Sequence, residues 1–179
     1  MISIVGGTKM RDFISCFACG AKSLNIEGEC HKYMLAAPGC WIMFNEVLAK
    51  EYSDFRYSRA HQFTVDAYAC QHIGIKEDKS AVNSVNIHLA SLYLMCEEGM
   101  DWNGAPQFRQ AFSQYYKNNN ILEWLTPPKS FGEYTIYDIW ENEDPNAHFN
   151  LSQKWAKAVW DAWKHQHQRI RHLVHQVKK

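Results

Sequence analysis

No stretch of the 179-residue sequence approaches the roughly 20 consecutive apolar residues that a membrane-spanning helix needs. Met1 to Thr8 lacks a long apolar run followed by a cleavage site, so export is not expected and a cytoplasmic location is. Formal net charge is zero, which argues against recruitment of nucleic acid or an anionic membrane by a global field. No internal repeat, low-complexity tract or long Pro/Gly/Ser linker divides the chain, so one domain over 1–179 is expected. Strand patterns are also scarce, with one short strand expected over residues 1–6.

The balanced charge hides an asymmetry. Residues 1–150 carry 12 Lys/Arg against 18 Asp/Glu, whereas residues 151–179 carry seven against one. A cationic C-terminal helix suits its own dipole and the acidic body. Hydrophobic residues make up 46% and aromatics 14%, a globular rather than a disordered composition.

Residues 1–40 stand apart. They hold four of the six cysteines and five of the nine glycines, and few periodic runs. This is the pattern of a loop-rich metal knuckle, with a helical bundle over 41–179. Helices are expected at about 40–52, 56–73, 81–98, 105–118, 135–140 and 151–177, from apolar residues recurring at i, i+3 and i+4. Gly74 and Gly99 are suited to helix ends. Trp124-Leu125-Thr126-Pro127-Pro128 cannot be helical. Short connections between such helices make a mostly α bundle the expected fold.

Cys16-Phe17-Ala18-Cys19-Gly20 places two thiols at zinc-gripping spacing, with a glycine to turn the chain beneath the ion. There is no second CxxC, so two further ligands must come from Cys30, His31 and Cys40. The βαβ context of a redox CxxC is missing, and without export the thiols are expected to be reduced or metal-bound. Cys70 and Cys96 fall at core spacing on helices and read as small apolar residues.

Histidines recur on the apolar faces. His61 and His72 lie 11 residues apart, about three helical turns, so they share a stripe. His88 borders the apolar face of the third helix. His167 interrupts the stripe of Trp160, Trp163 and Ile170. Bundles build sites from side chains on facing helices. The expected pocket therefore brings His72, His88 and His167 within one ligand sphere, lined by His61 and Tyr68, with Asp66 as an orienting carboxylate and Gln71 as a further partner. Such a set would hold a second metal and activate a water.

Several segments together resemble a bacterial domain family of unknown function. They are the CxxCG of Cys16–Gly20, His31-Lys32-Tyr33-Met34, Pro38-Gly39-Cys40-Trp41, Val65-Asp66-Ala67-Tyr68 with Gln71-His72, Val85-Asn86-Ile87-His88-Leu89, the Trp124–Pro128 turn, Phe131-Gly132-Glu133-Tyr134-Thr135 with Asp138, and the helix from Trp155 to Trp163. The likeness spans nearly the whole chain, with Ile73 departing where the family often has proline. It implies Cys16, Cys19, His31 and Cys40 as the knuckle ligands, favouring His31 over Cys30, and it singles out His61, Asp66, Tyr68, Gln71, His72, His88 and His167 in the helices. No activity comes with it.

Two functions fit these residues. One is a small metal-dependent enzyme, a hydrolase or thiol-directed transferase, with structural zinc in the knuckle, a His-lined pocket and a small-molecule substrate. The other is a zinc-stabilised, non-catalytic module that binds a protein partner.

Overall fold

The computed structural model describes residues 12–119 and 122–178. The strand expected over residues 1–6 lies outside them. The described chain opens with a small antiparallel hairpin, β1 (Phe13–Ser15) and β2 (Lys22–Leu24), in which Phe13 faces Leu24 and Ser15 faces Lys22. The CxxC segment is the turn between these strands. Cys16 N–H donates to Ala21 O at 2.8 Å and Gly20 N–H to Cys16 O at 2.8 Å. Gly20 takes φ +78°, a left-handed conformation that glycine adopts without a Cβ clash.

Among the described residues seven α-helices follow: α1 (Pro38–Ser53), α2 (His61–Gln71), α3 (Lys79–Cys96), α4 (Ala105–Asn119), α5 (Ile136–Trp140), α6 (Pro145–Ala162) and α7 (His167–Val177). The starts are chemically marked. Asp78 caps α3 by accepting from Ser80 N–H, and Asp144 caps α6 by accepting from Ala147 N–H, with Pro145 in its first turn. Thr135 and Asp138 form a reciprocal capping box on α5. The mostly α fold expected from periodicity is the fold observed.

Helix α2 is central. Nine of its eleven residues are buried, so it has no solvent face, and it packs chiefly on α3 and α6. Helix α1 packs on α5 and on β2, and α3 also meets α4 and α7. One apolar cluster runs from Cys16 and Ala21 at the hairpin through Met43, Tyr68 and Leu89 to Ile170 and Val174. Trp155, Trp160 and Trp163 are its largest fully buried side chains. Each large apolar side chain so buried contributes on the order of 2–3 kcal/mol. Cys70, wholly buried, and Cys96 belong to or border this core, as their spacing implies.

Two helix boundaries differ from expectation. The second helix begins at His61, after a 3-10 turn at Ser58–Ala60. The last expected helix, 151–177, is two helices separated by a 3-10 turn at Lys164–Gln166. His167 folds its ring flat on Trp160, with centroids 3.6 Å apart, and its Nε2 donates to Trp160 O at 2.8 Å. That bond takes a carbonyl at the end of α6. His165 Nε2 donates to Thr126 O at 2.9 Å, anchoring the break to the proline-containing segment. No proline or glycine marks the break, so periodicity reads straight through it.

Candidate metal centre

Three parts of the fold bring four ligand atoms together. The hairpin turn supplies Cys16 and Cys19, the first turn of α1 supplies Cys40, and the residue after α2 supplies His72. Cys40 reaches the turn because Gly39 lets β2 lie directly on α1. A Cβ at Gly39 would sit 1.9 Å from Leu24 O, so no other residue fits without parting the two. One ligand atom from each of the four residues lies within 4.8 Å of the others.

The spacing fits one four-coordinate ion. Metal–sulfur bonds of about 2.3 Å and metal–nitrogen bonds of about 2.0–2.1 Å in a tetrahedron put sulfurs roughly 3.8 Å apart and sulfur roughly 3.6 Å from nitrogen. Cys19 Sγ is 3.9 Å from Cys40 Sγ. His72 Nε2 is 3.5 Å from Cys40 Sγ and 3.9 Å from Cys16 Sγ.

The surrounding bonds set each ligand up. His72 Nδ1 lies 2.8 Å from Tyr68 O. A carbonyl can only accept, so Nδ1 carries the proton and Nε2 presents its lone pair to the thiols. Tyr68 stacks on the same imidazole at 3.9 Å, and its hydroxyl lies 3.8 Å from Cys40 Sγ. Ala37 N–H donates to Cys16 Sγ at 3.4 Å. Bonds from Cys19 and Cys40 hold the Cys16 thiol far below its ordinary value. Cys19 is pushed up to about 12 because it donates to Cys16, and Cys40 moves upward for the same reason. A second thiolate beside the first would meet its like charge. A dication lets all three ionise.

His31 is not among the four. It sits in the loop between β2 and α1, with its ring against Tyr33 and Trp41 at 4.3 and 5.0 Å, and its Nδ1 accepts from Tyr33 N–H. Cys30 is also elsewhere, donating to Ala36 O at 3.2 Å. The chain has turned away from the knuckle at residues 30–31 and is back beside it by Ala37, whose N–H meets Cys16 Sγ. The fourth member of the group is His72, expected instead in the helical pocket.

The expected meeting of His72, His88 and His167 does not form. Among the described residues no second group of three His, Cys, Asp or Glu ligand atoms comes as close as the Cys16 group. His72 is taken by the thiols and His167 by Trp160. His88 Nδ1 donates to Asp66 Oδ1 at 2.6 Å, across the α2–α3 interface. Asp66 is wholly buried and also accepts from Ser91 Oγ at 2.5 Å and Arg109 Nη1 at 2.6 Å. Burial alone would raise its carboxyl, but His88, Arg109 and Ser91 outweigh that and hold it below its ordinary value. Asp66 therefore holds the His88 ring in place. Gln71 donates to Tyr134 O at 2.9 Å, outside both groups.

His61 belongs to a parallel arrangement that the sequence reading did not see. Its Nδ1 donates to Glu51 Oε2 at 3.1 Å, while His148 Nε2 and Thr64 Oγ1 donate to Glu51 Oε1 at 2.9 and 2.6 Å. Burial again works to raise the Glu51 carboxyl, and bonds from His148, His61 and Thr64 bring it below its ordinary value. A signal was present: Glu51 continues the α1 stripe of Phe44, Val47 and Leu48, a charge where the pattern requires an apolar residue.

A family model covers residues 14–164, from the hairpin to the start of the turn after α6. The chain belongs to DUF5946, a family of unknown function. No curated protein and no solved structure matches this DUF5946 chain. Both the knuckle and the carboxylate-bound histidines fall within the matched span.

Proposed function

We propose that the protein is a zinc-binding helical domain in which one zinc ion, held by Cys16, Cys19, Cys40 and His72, fastens the N-terminal hairpin to α1 and α2. The observation that carries this reading is the set of tetrahedron-edge distances among three sulfurs and one nitrogen. Three thiolates and an imidazole select zinc among common divalent ions by softness and geometry. Four protein ligands leave no position for water, so the ion serves structure and not hydrolysis. A reducing compartment such as the cytoplasm suits a site built on thiolates, and none of the six cysteines is in a disulfide.

Metal replacement tests the reading. The purified chain should hold about one zinc. Its cobalt(II) form should show the intense visible bands of tetrahedral cobalt and the ultraviolet charge transfer of thiolate ligation. Octahedral cobalt spectra, or zinc that washes off with no change in fold, would overturn it.

A further inference from the structure

A cavity of about 330 Å³ lies among α1, α2, α3, α4 and the loop before α1, and none of Cys16, Cys19, Cys40 and His72 lines it. Its size is at the lower end for small-molecule sites, which run from roughly 300 Å³. Two kinds of side chain form it. Trp41 and Phe44 supply an aromatic wall, their rings 5.4 Å apart. His31, His61, His88 and Arg109 supply the polar lining, and no Asp or Glu is among the lining residues.

The acids stand behind the imidazoles. Glu51 and Asp66 are buried at 1% and 0% exposure and each accepts a hydrogen bond from the Nδ1 of a cavity histidine. That bond fixes Nδ1 as the protonated nitrogen, as in carboxylate–histidine pairs generally. It leaves Nε2 of His61 and of His88 without a protein partner among the described residues. A neutral imidazole in this tautomer offers a lone pair at Nε2, and a protonated one offers an N–H beside a compensating carboxylate. Arg109 is engaged by Asp66 at 2.6 Å and by Gln62 at 2.5 Å, so its charge serves to neutralise Asp66.

We propose that this cavity binds a small planar aromatic carboxylic acid as its anion, with the carboxylate meeting Nε2 of His61 and His88 and the ring lying against Trp41 and Phe44. The proton balance holds at a pH where the facing imidazoles are neutral before binding. An acid entering undissociated gives its proton to Nε2, forming carboxylate and imidazolium. An acid entering as its anion draws the same proton from solvent. Binding therefore takes up protons at a pH where the acid is already ionised. The groups facing the two histidines are Glu51 and Tyr52 from α1, Asp66 from α2, Arg109 from α4, and His31 and Tyr33 from the loop. His148 from α6 reaches His61 only through Glu51.

Benzoate is the probe, added to the zinc-loaded full chain and followed by calorimetry in two buffers of different ionisation enthalpy. Saturable 1:1 binding is expected, with proton uptake approaching one per benzoate and affinity falling by up to about tenfold per pH unit in the alkaline range. His61→Gln and His88→Gln should each weaken binding at least tenfold and lower the proton uptake, with zinc content and helicity unchanged. His165→Gln, outside the cavity, should bind as the wild type does. Acetate should bind far more weakly, since it lacks the ring. Absence of saturable benzoate binding by the wild type, binding without linked protons, or tighter binding of inorganic phosphate would each overturn the proposal. The wild-type measurements decide it even where a variant fails to fold.

Discussion

His72 and His88 have the same local arrangement and opposite roles. In each, Nδ1 donates a short bond that fixes the ring, at 2.8 Å to Tyr68 O and at 2.6 Å to Asp66 Oδ1. The acceptor makes the difference. A backbone carbonyl fixes Nδ1 as the donor without adding charge, and the three thiols around Nε2 make up a set that could hold a cation. A carboxylate behind His88 already supplies the counter-charge, so its Nε2 asks for an acid or a hydrogen-bonding ligand instead. One region of the molecule gathers four ligand atoms that could hold an ion. The other satisfies its buried charges internally, Asp66 with His88, Ser91 and Arg109, and Glu51 with His61, His148 and Thr64.

The comparison breaks most visibly at the ligands. Cys40→Ser should abolish tight metal binding and release the hairpin from α1. A stability loss of about 4 kcal/mol corresponds to a fall of roughly 8–16 °C in melting temperature for a chain of this size. Calorimetry with parallel metal analysis checks this, and an unchanged melting temperature with metal retained would refute it. Gly39→Ala should weaken the metal through the backbone alone, because the new Cβ meets Leu24 O.

In the carboxylate-bound region, Asp66→Ala should cost about 3–5 kcal/mol, because it leaves the Arg109 charge and the His88 donor facing a void. Metal content should stay at the wild-type level, which separates the two regions. Denaturant unfolding gives the first number and elemental analysis the second.

Asp66→Asn tests the same region by pH. The folded-state value of Asp66 is depressed below its ordinary 3.8, so its ionised form stabilises the fold above that value. This stability is lost as pH falls through 3.8 toward the lower folded value. The stability gap between wild type and Asp66→Asn should therefore be constant above about pH 5 and should shrink as pH falls to about 3. A gap that widens on acidification would contradict the assignment. The smallest expected effect is at the exposed Lys157–Asp161 pair, 54% and 55% accessible, where Lys157→Ala should change stability by no more than about 0.5 kcal/mol.

Much of this was legible in the sequence. The helices followed from apolar periodicity, and Cys16, Cys19 and Cys40 from the spacing of cysteines in a glycine-rich segment. The fourth ligand was not, because His72 also extends the His61 stripe of α2 and periodicity gives no hint that the helix ends one residue before it. His31 misled because it is close in sequence, whereas the ligand that completes the tetrahedron lies 32 residues beyond Cys40. His167 looked like a polar group awaiting partners across the bundle, yet its partner is Trp160 O, seven residues back in the same chain. Arg109 could not be tied to Asp66 without knowing that α4 packs on α3 beside the buried carboxylate.

The assignment of the fourth ligand is tested most directly by metal content in two single variants, purified side by side. His72→Ala should lose tight zinc binding, while His31→Ala should keep about one zinc per chain, as the wild type does. Zinc retained by His72→Ala and lost from His31→Ala would contradict the account.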